Sequence, residues 1–174
     1  MIWFEELLTR KKISKVFYRY ERTFPETERR DKEQFLALAD NPDAFVFLIQ
    51  HEDETIGYAV IWELDGFHFL EHFEIYEEFR NQKMGEKALE YLKEKFGNIV
   101  LETEPESFSE NAKRRLGFYQ RNGYLTIEEK YLQPSYGEGK TSLTLLLLAN
   151  YTPENKEAVI KEIHEKVYDT NFDQ

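Results

Sequence analysis

The chain has 174 residues, of which 41% are hydrophobic and 16% aromatic, enough apolar material for one folded domain with a hydrophobic core. Its formal net charge of -11 argues against nucleic-acid and anionic-membrane partners, because phosphate surfaces would repel it. The absence of cysteine excludes disulfides, a thiolate nucleophile and cysteine metal sites. The four histidines also lack the spacing of a zinc motif, so we expect no metal.

The N-terminal segment MIWFEELLTRKK places its basic residues after the apolar ones, which is the reverse of a secretory signal. The longest apolar run, LTLLLLA at 143–149, is too short to cross a bilayer. We therefore expect a cytoplasmic protein with no membrane partner.

Hydrophobic periodicity predicts a short strand, two helices and a three-stranded meander in the first half of the chain. Ser14 is the predicted N-cap of the first helix, and Pro25 ends it. The predicted elements are a strand at 2–8, helices from Ser14 to Pro25 and over 28–39, and strands at 44–50, 55–64 and 67–75.

The second half alternates helices and strands. Gly97 is predicted to end one helix, and Ser109 to cap the next. The predicted elements are helices at 85–96 and 110–121, strands at 98–104, 124–132 and 141–149, and a final helix at 153–168. The element order predicts one α+β domain with a mixed sheet.

Two segments resemble phosphate-binding loops. GEGKTS, residues 137–142, has proline at position 134 where a phosphate loop needs its first glycine, and a strand follows where a helix is required, which opposes that function. RNQKMGEKAL, residues 80–89, instead joins a strand to a helix N-terminus, where free amides and flanking cations favour an anion. The alternative is an ordinary connection with solvated Arg and Lys.

The wider context of the second segment resembles the GNAT superfamily of acetyl-CoA-dependent N-acetyltransferases. FLEHFEIYEEFRNQKMGEKAL, residues 69–89, matches the family's strand, Arg/Gln-x-x-Gly-x-Gly/Ala motif and helix, and FYQRNGY, residues 118–124, matches its later tyrosine motif. The resemblance covers residues 1–149, the expected acetyltransferase domain, and leaves residues 150–174 as a helical extension packed on that domain. It implies a mostly antiparallel sheet with helices on both faces, in three layers.

The resemblance also implies a cosubstrate, acetyl-CoA, and the residues that bind it. The pantetheine arm would lie along the strand before the motif, and the pyrophosphate on the amides of the loop. The implied binding residues are Phe73, Ile75, Arg80, Asn81, Gln82, Lys83, Met84, Gly85 and Glu86. Lys83 stands where the family usually has glycine, so it must take backbone angles that glycine adopts freely.

Acetyl transfer to an amine needs a base, and strand alternation suggests Glu71. Alternation places Glu71 on one side with Phe67, Phe69, Phe73 and Ile75, and burial there should raise its pKa. The alternative is a carboxylate paired with a buried Arg or Lys. His72, expected on the opposite side, is a second choice of base.

Other acidic and aromatic residues complete the expected site. Glu102 and Glu104 share one side of the neighbouring strand, where they either attract a cation, relay protons or are simply solvated. Tyr119 matches the family tyrosine that donates to the departing sulfur. The loop containing Tyr136 suits an acceptor pocket.

The resemblance therefore implies an N-acetyltransferase that moves an acetyl group from acetyl-CoA to a primary amine of a small molecule or peptide by direct transfer. The alternative is a non-catalytic acyl-CoA-binding or interaction module on the same fold. The C-terminal helix is expected either to cover a sheet edge or to form a homodimer contact.

Overall fold

The computed structural model describes residues 1–169, so residues 170–174 of the predicted extension lie outside the described residues. The strands are β1 (Ile2–Glu6), β2 (Ala44–His51), β3 (Glu54–Leu64), β4 (Phe67–Ile75), β5 (Ile99–Thr103), β6 (Leu125–Gln133) and β7 (Leu143–Ala149). The α-helices are α1 (Arg10–Thr23), α2 (Lys32–Leu36), α3 (Met84–Phe96), α4 (Glu110–Arg121) and α5 (Lys156–Lys166).

All seven strands form one sheet in the order β1-β2-β3-β4-β5-β7-β6. Neighbouring strands are antiparallel except β4 and β5, which run parallel because α3 crosses between them. The predicted α+β fold with a mixed, mostly antiparallel sheet is confirmed.

Helices cover both faces of the sheet and enclose two cores. The first face packs against α1, α2 and α5, through side chains such as Tyr20, Phe35 and Ile163. The second face packs against α3 and α4, through side chains such as Leu92 and Leu116. The C-terminal helix therefore belongs to the first-face core.

Two helix predictions need correction at their ends. Thr9, not Ser14, caps α1: its hydroxyl accepts from the amide of Lys12 at 3.2 Å, while Ser14 donates to a carbonyl inside the helix. The second helix is much shorter than predicted. Asp31 and Gln34 form a capping box, so α2 begins only at Lys32.

A β-bulge in β4 overturns the predicted alternation of its side chains. Val60 of β3 pairs with His72 and Ile61 pairs with Leu70, so Glu71 has no partner on β3. An extra residue in one strand reverses the faces of the residues that follow it. Accordingly Phe73 packs with the second-face core, while Phe69 and the contacts of Glu71 lie on the first face.

Candidate active site

The two central strands separate part-way along their length. The parallel pairing of β4 with β5 ends at Leu70↔Leu101. Beyond it, Tyr76 donates its amide towards β3 at 2.8 Å. Because successive strand residues direct their backbone polar groups to alternate sides, Ile75 and Phe73 direct theirs into the gap. The gap thus offers an unpaired strand edge to an extended ligand.

The loop between β4 and α3 leaves its backbone amides free. The amides of residues 81–86 donate no hydrogen bond to any acceptor in residues 1–169. Asn81 and Lys83 have left-handed backbones, with φ of 66° and 61°, a geometry that turns successive N–H groups towards one concave side. Free amides at a helix N-terminus carry partial positive charge and favour an anion.

Lys83 does take the backbone angles that the sequence required of it, with φ 61° and ψ 16° at the N-cap of α3. A left-handed backbone costs a residue other than glycine about 1 kcal/mol. Gly85 follows on the first turn of α3, where a Cβ would lie 2.9 Å from the ring of Phe118. Its missing side chain therefore lets α3 and α4 approach closely.

Arg80 folds back onto the end of β4. Its Nε donates to the carbonyl of Ile75 at 2.9 Å, and its Nη2 lies 3.8 Å from Glu74 Oε1. The carbonyl of Ile75 is therefore already paired, and the amide of Ile75 and the polar groups of Phe73 remain for a ligand.

Glu71 is the centre of a buried hydrogen-bonded cluster on the first face. Its carboxylate accepts from Trp62 Nε1 and Tyr136 Oη, both at 2.7 Å, and from Nε and Nη2 of Arg30, both at 3.2 Å. The Glu71 side chain is 0% exposed. We call these four residues the Glu71 cluster.

The prediction that burial raises the pKa of Glu71 is wrong. Burial does penalise the charge, but the guanidinium of Arg30 and the adjacent His72 outweigh it and hold the pKa of Glu71 well below its usual range. The alternative interpretation, a carboxylate paired with a buried arginine, matches the structure. A role for Glu71 as the base stays a prediction.

His72 was predicted on the opposite side from Glu71, and this placement is wrong because of the bulge. Its ring lies 4.9 Å from that of Tyr20 and 5.0 Å from that of Phe24, both on α1 or its C-terminal cap. Its Nε2 is 3.1 Å from Glu71 Oε2 but lacks the angles of a hydrogen bond. His72 thus packs beside the Glu71 cluster.

Glu102 is a second carboxylate on the first face, with different surroundings. Its Oε1 accepts from Tyr168 Oη at 2.6 Å and from Gln133 Nε2 at 2.9 Å. Its Oε2 is shielded from solvent and has no hydrogen bond of normal geometry within residues 1–169, although the buried hydroxyl of Tyr131 faces the carboxylate from β6. Burial raises the pKa of Glu102 to about 7, although its hydrogen-bond donors oppose the shift. Glu104 instead lies 3.5 Å from Arg115 in a half-exposed ion pair.

Tyr119 lies on α4 in the second-face core. Its ring is 5.8 Å from that of Tyr124, and its hydroxyl makes no hydrogen bond within residues 1–169. Burial raises the pKa of Tyr119 to about 12. Tyr119 and Glu71 therefore lie on opposite faces of the sheet, on the two sides of the gap between β4 and β5.

The loop between β6 and β7 brings Tyr136 to the Glu71 cluster and uses its GEGK segment structurally. The Nζ of Lys140 donates to the carbonyls of Glu26 and Arg29, at 2.9 and 2.7 Å. The lysine of this segment therefore binds backbone, as expected for a segment that is not a phosphate loop.

Comparison with known proteins shows the family to which the chain belongs. The family model described as "Acetyltransferase (GNAT) family" matches residues 11–124. The chain belongs to the GNAT acetyltransferase family. A solved structure assigned to that family, from Bacteroides thetaiotaomicron, is 30% identical, covers 97% of this chain and 99% of its own, and has a TM-score of 0.88.

The chain is also similar, at lower identity, to two other acetyltransferases. YjbC of Bacillus subtilis, assigned as an acetyltransferase, is 26% identical over 151 residues, which is 83% of this chain and 77% of YjbC. The PaiA N-acetyltransferase of Thermoplasma acidophilum, solved in complex with coenzyme A, is 15% identical. It covers 86% of this chain and 98% of its own with a TM-score of 0.53, a likeness of fold alone.

Within residues 1–169, no helix is long and apolar enough to cross a membrane, and no group of three His, Cys, Asp or Glu side chains could hold a metal ion.

Sequence reasoning missed two members of the Glu71 cluster. Trp62 could have been found, because it alternates with Tyr58 and Val60 on β3 and a buried indole N–H needs an acceptor. Arg30 lies between a 3₁₀ turn and α2, and no periodic pattern in the sequence marks it.

We expect Glu71→Gln to destabilise the fold by about 3–5 kcal/mol, since it leaves the buried guanidinium of Arg30 without its counter-charge. Urea denaturation measures the loss. The control Glu78→Gln breaks the half-exposed pair with Arg19 and should cost less than about 1 kcal/mol. Equal losses in the two variants would contradict the role of the cluster.

The pKa of Glu102 predicts a pH dependence of stability. The folded state keeps the Glu102 proton up to about pH 7 and the unfolded state releases it near 4.5. The free energy of unfolding should therefore fall by about 3 kcal/mol as the pH rises through that window. Glu102→Gln should remove this fall in urea titrations, and the exposed control Glu129→Gln should keep it. The same slope in both variants would refute the shift.

Proposed function

We propose that this GNAT protein transfers the acetyl group of acetyl-CoA directly to a primary amine of a small molecule or peptide. The observation that carries the proposal is the gap after Leu70↔Leu101, which runs from an unpaired β4 edge to the free amides of residues 81–86. Family membership and the coenzyme A complex of the PaiA relative support the same cosubstrate.

The residues present fit acetyl-CoA in two places. The amide of Ile75 and the polar groups of Phe73 suit the two amides of the pantetheine arm, which would add to β4 as a short strand. The amides of Asn81, Gln82, Lys83, Met84, Gly85 and Glu86 suit the pyrophosphate, and the ammonium of Lys83 supplies a charge beside them. Arg80 braces the end of β4 through the Ile75 carbonyl.

On this proposal the neutral amine nitrogen attacks the thioester carbonyl carbon, the C–N bond forms and the C–S bond breaks, and the nitrogen gives up one proton to become the amide. The electron pair of that bond leaves on the thiolate of CoA. The pKa of a thiol is about 8.5, whereas the pKa of Tyr119 is about 12. Complete transfer of the tyrosine proton to the CoA thiolate is therefore unfavourable, and Tyr119 would instead donate a hydrogen bond to the departing sulfur. A hydrogen bond to a charged group is worth about 1.5–3 kcal/mol.

The acceptor would enter from the first face, opposite α3 and α4. Tyr136 and the indole of Trp62 meet Glu71 there, and Tyr168 meets Glu102. Aromatic rings and two carboxylates favour a cationic or amine-bearing acceptor over an anion. The N-acetyltransferase activity in the name of the PaiA relative is consistent with a nitrogen acceptor.

The function is tested by following CoA release with a panel of small-molecule and peptide amines. Turnover with at least one amine is expected, and Tyr119→Phe should lower kcat about 10- to 100-fold while the affinity for acetyl-CoA stays unchanged. Undiminished kcat in that variant would remove the role of Tyr119. Tight binding of acetyl-CoA without transfer to any amine would favour the non-catalytic binding module.

The charge of Lys83 can be separated from its backbone conformation. Asparagine tolerates a left-handed backbone, so Lys83→Asn should keep the loop and lose the ammonium. We expect acetyl-CoA to bind about three- to fivefold more weakly at low salt, with a smaller difference at high salt. Calorimetry checks this against Lys130→Asn, an exposed control on β6. Unchanged affinity would mean that the ammonium does not contact a phosphate.

A further inference from the structure

Two carboxylates occupy equivalent positions where the sheet opens. Leu70 and Leu101 form the last pair of β4 with β5, and Glu71 and Glu102 are the residues that follow them on the two strands. Glu71 contacts Trp62 on the first face, and Glu102 contacts Tyr168 in the same core. Both side chains therefore flank the start of the gap, on the side from which an acceptor would approach.

The two carboxylates differ in how many donors surround them. Glu71 accepts four hydrogen bonds, two of them from a guanidinium, so both of its oxygens are occupied. Glu102 accepts two hydrogen bonds on Oε1. Its buried Oε2 accepts none of normal geometry within the described chain, and the hydroxyl of Tyr131 is a further donor that faces the carboxylate. A buried oxygen without a donor is costly unless a ligand or a proton satisfies it.

We propose that Oε2 of Glu102 takes the proton of the acceptor amine during acetyl transfer. This inference rests on the proposed function. An ammonium N–H bond of the acceptor gives its proton to Oε2, and the freed lone pair forms the C–N bond to the acetyl carbon. The C–S bond then breaks and releases CoA as its thiolate, and the nitrogen loses a second proton to solvent to become the amide. Glu102 returns the proton to solvent after the amide has left.

The surroundings of Glu102 suit proton exchange near neutral pH. Gln133 and Tyr131 face it from β6, Tyr168 from the segment after α5, and Glu71 from β4. No cation among these groups pairs with its carboxylate, so burial holds its pKa at about 7. A base is most effective when its pKa is close to the working pH. The pKa of Glu71 is too low for this role, because the guanidinium of Arg30 stabilises its charged form.

The experiment compares pH profiles of kcat/KM for the best amine in the wild type, Glu102→Gln, Glu71→Gln and the control Glu129→Gln. Glutamine keeps an acceptor for Tyr168 and Gln133, and melting curves establish that each variant is folded. The wild-type profile should fall below a break near pH 7. Glu102→Gln should lose that break and lower kcat/KM about 100-fold or more, with unchanged affinity for acetyl-CoA. Glu102→Asp should restore part of the rate.

The outcomes separate the hypotheses. A structural role alone would lower the rate of Glu102→Gln equally at every pH and keep the break, which would overturn the inference. Turnover within about threefold of wild type would also overturn it, and loss of the break in Glu71→Gln alone would assign the base to Glu71. Absence of turnover in the wild type with every amine would overturn the proposed function itself and this inference with it.

Discussion

The buried ion pair between Glu71 and Arg30 is the interaction on which the rest of this site depends. It forms where the bulge in β4 turns Glu71 and His72 to the same face. The irregular strand geometry thus positions the carboxylate of Glu71 beside Arg30. Arg30 also donates to the carbonyl of Val167, and Glu71 accepts from the β6–β7 loop through Tyr136. One salt bridge thus joins four parts of the chain that are far apart in sequence.

An ion pair of this kind contributes more to geometry than to net stability, because desolvation offsets most of its attraction. Its arrangement fixes Trp62 and Tyr136 around one anion, and both aromatic groups line the first face beside the gap between β4 and β5. The same saturation that makes Glu71 a good anchor makes it a poor base. Glu102, on the neighbouring strand, accepts fewer hydrogen bonds than Glu71, and burial raises its pKa instead of lowering it.

Much of the fold could be predicted from the sequence, because local signals mark it. Alternation and helical periodicity gave all seven strands and the order of the helices, and Gly97 and Ser109 end or cap helices as expected. The bulge could not be predicted, since a strict two-residue period has no signal for one extra residue. Because this extra residue was missed, the predicted faces of His72 and Phe73 were wrong. The predicted pKa of Glu71 was wrong for another reason, since nothing in the sequence marks Arg30 as its partner.

The cosubstrate side and the acceptor side of the sheet differ in how they are encoded. The strand, loop and tyrosine helix proposed to hold acetyl-CoA lie within residues 11–124, which the family model matches. Gln133, Tyr136 and Tyr168, which contact the two carboxylates, all follow that segment. Side chains outside the family's common segment therefore set the environment of Glu102 and complete that of Glu71. On the proposed function, the acceptor preference of this protein would be determined by the β6–β7 loop and the end of α5, where family resemblance carries the least information.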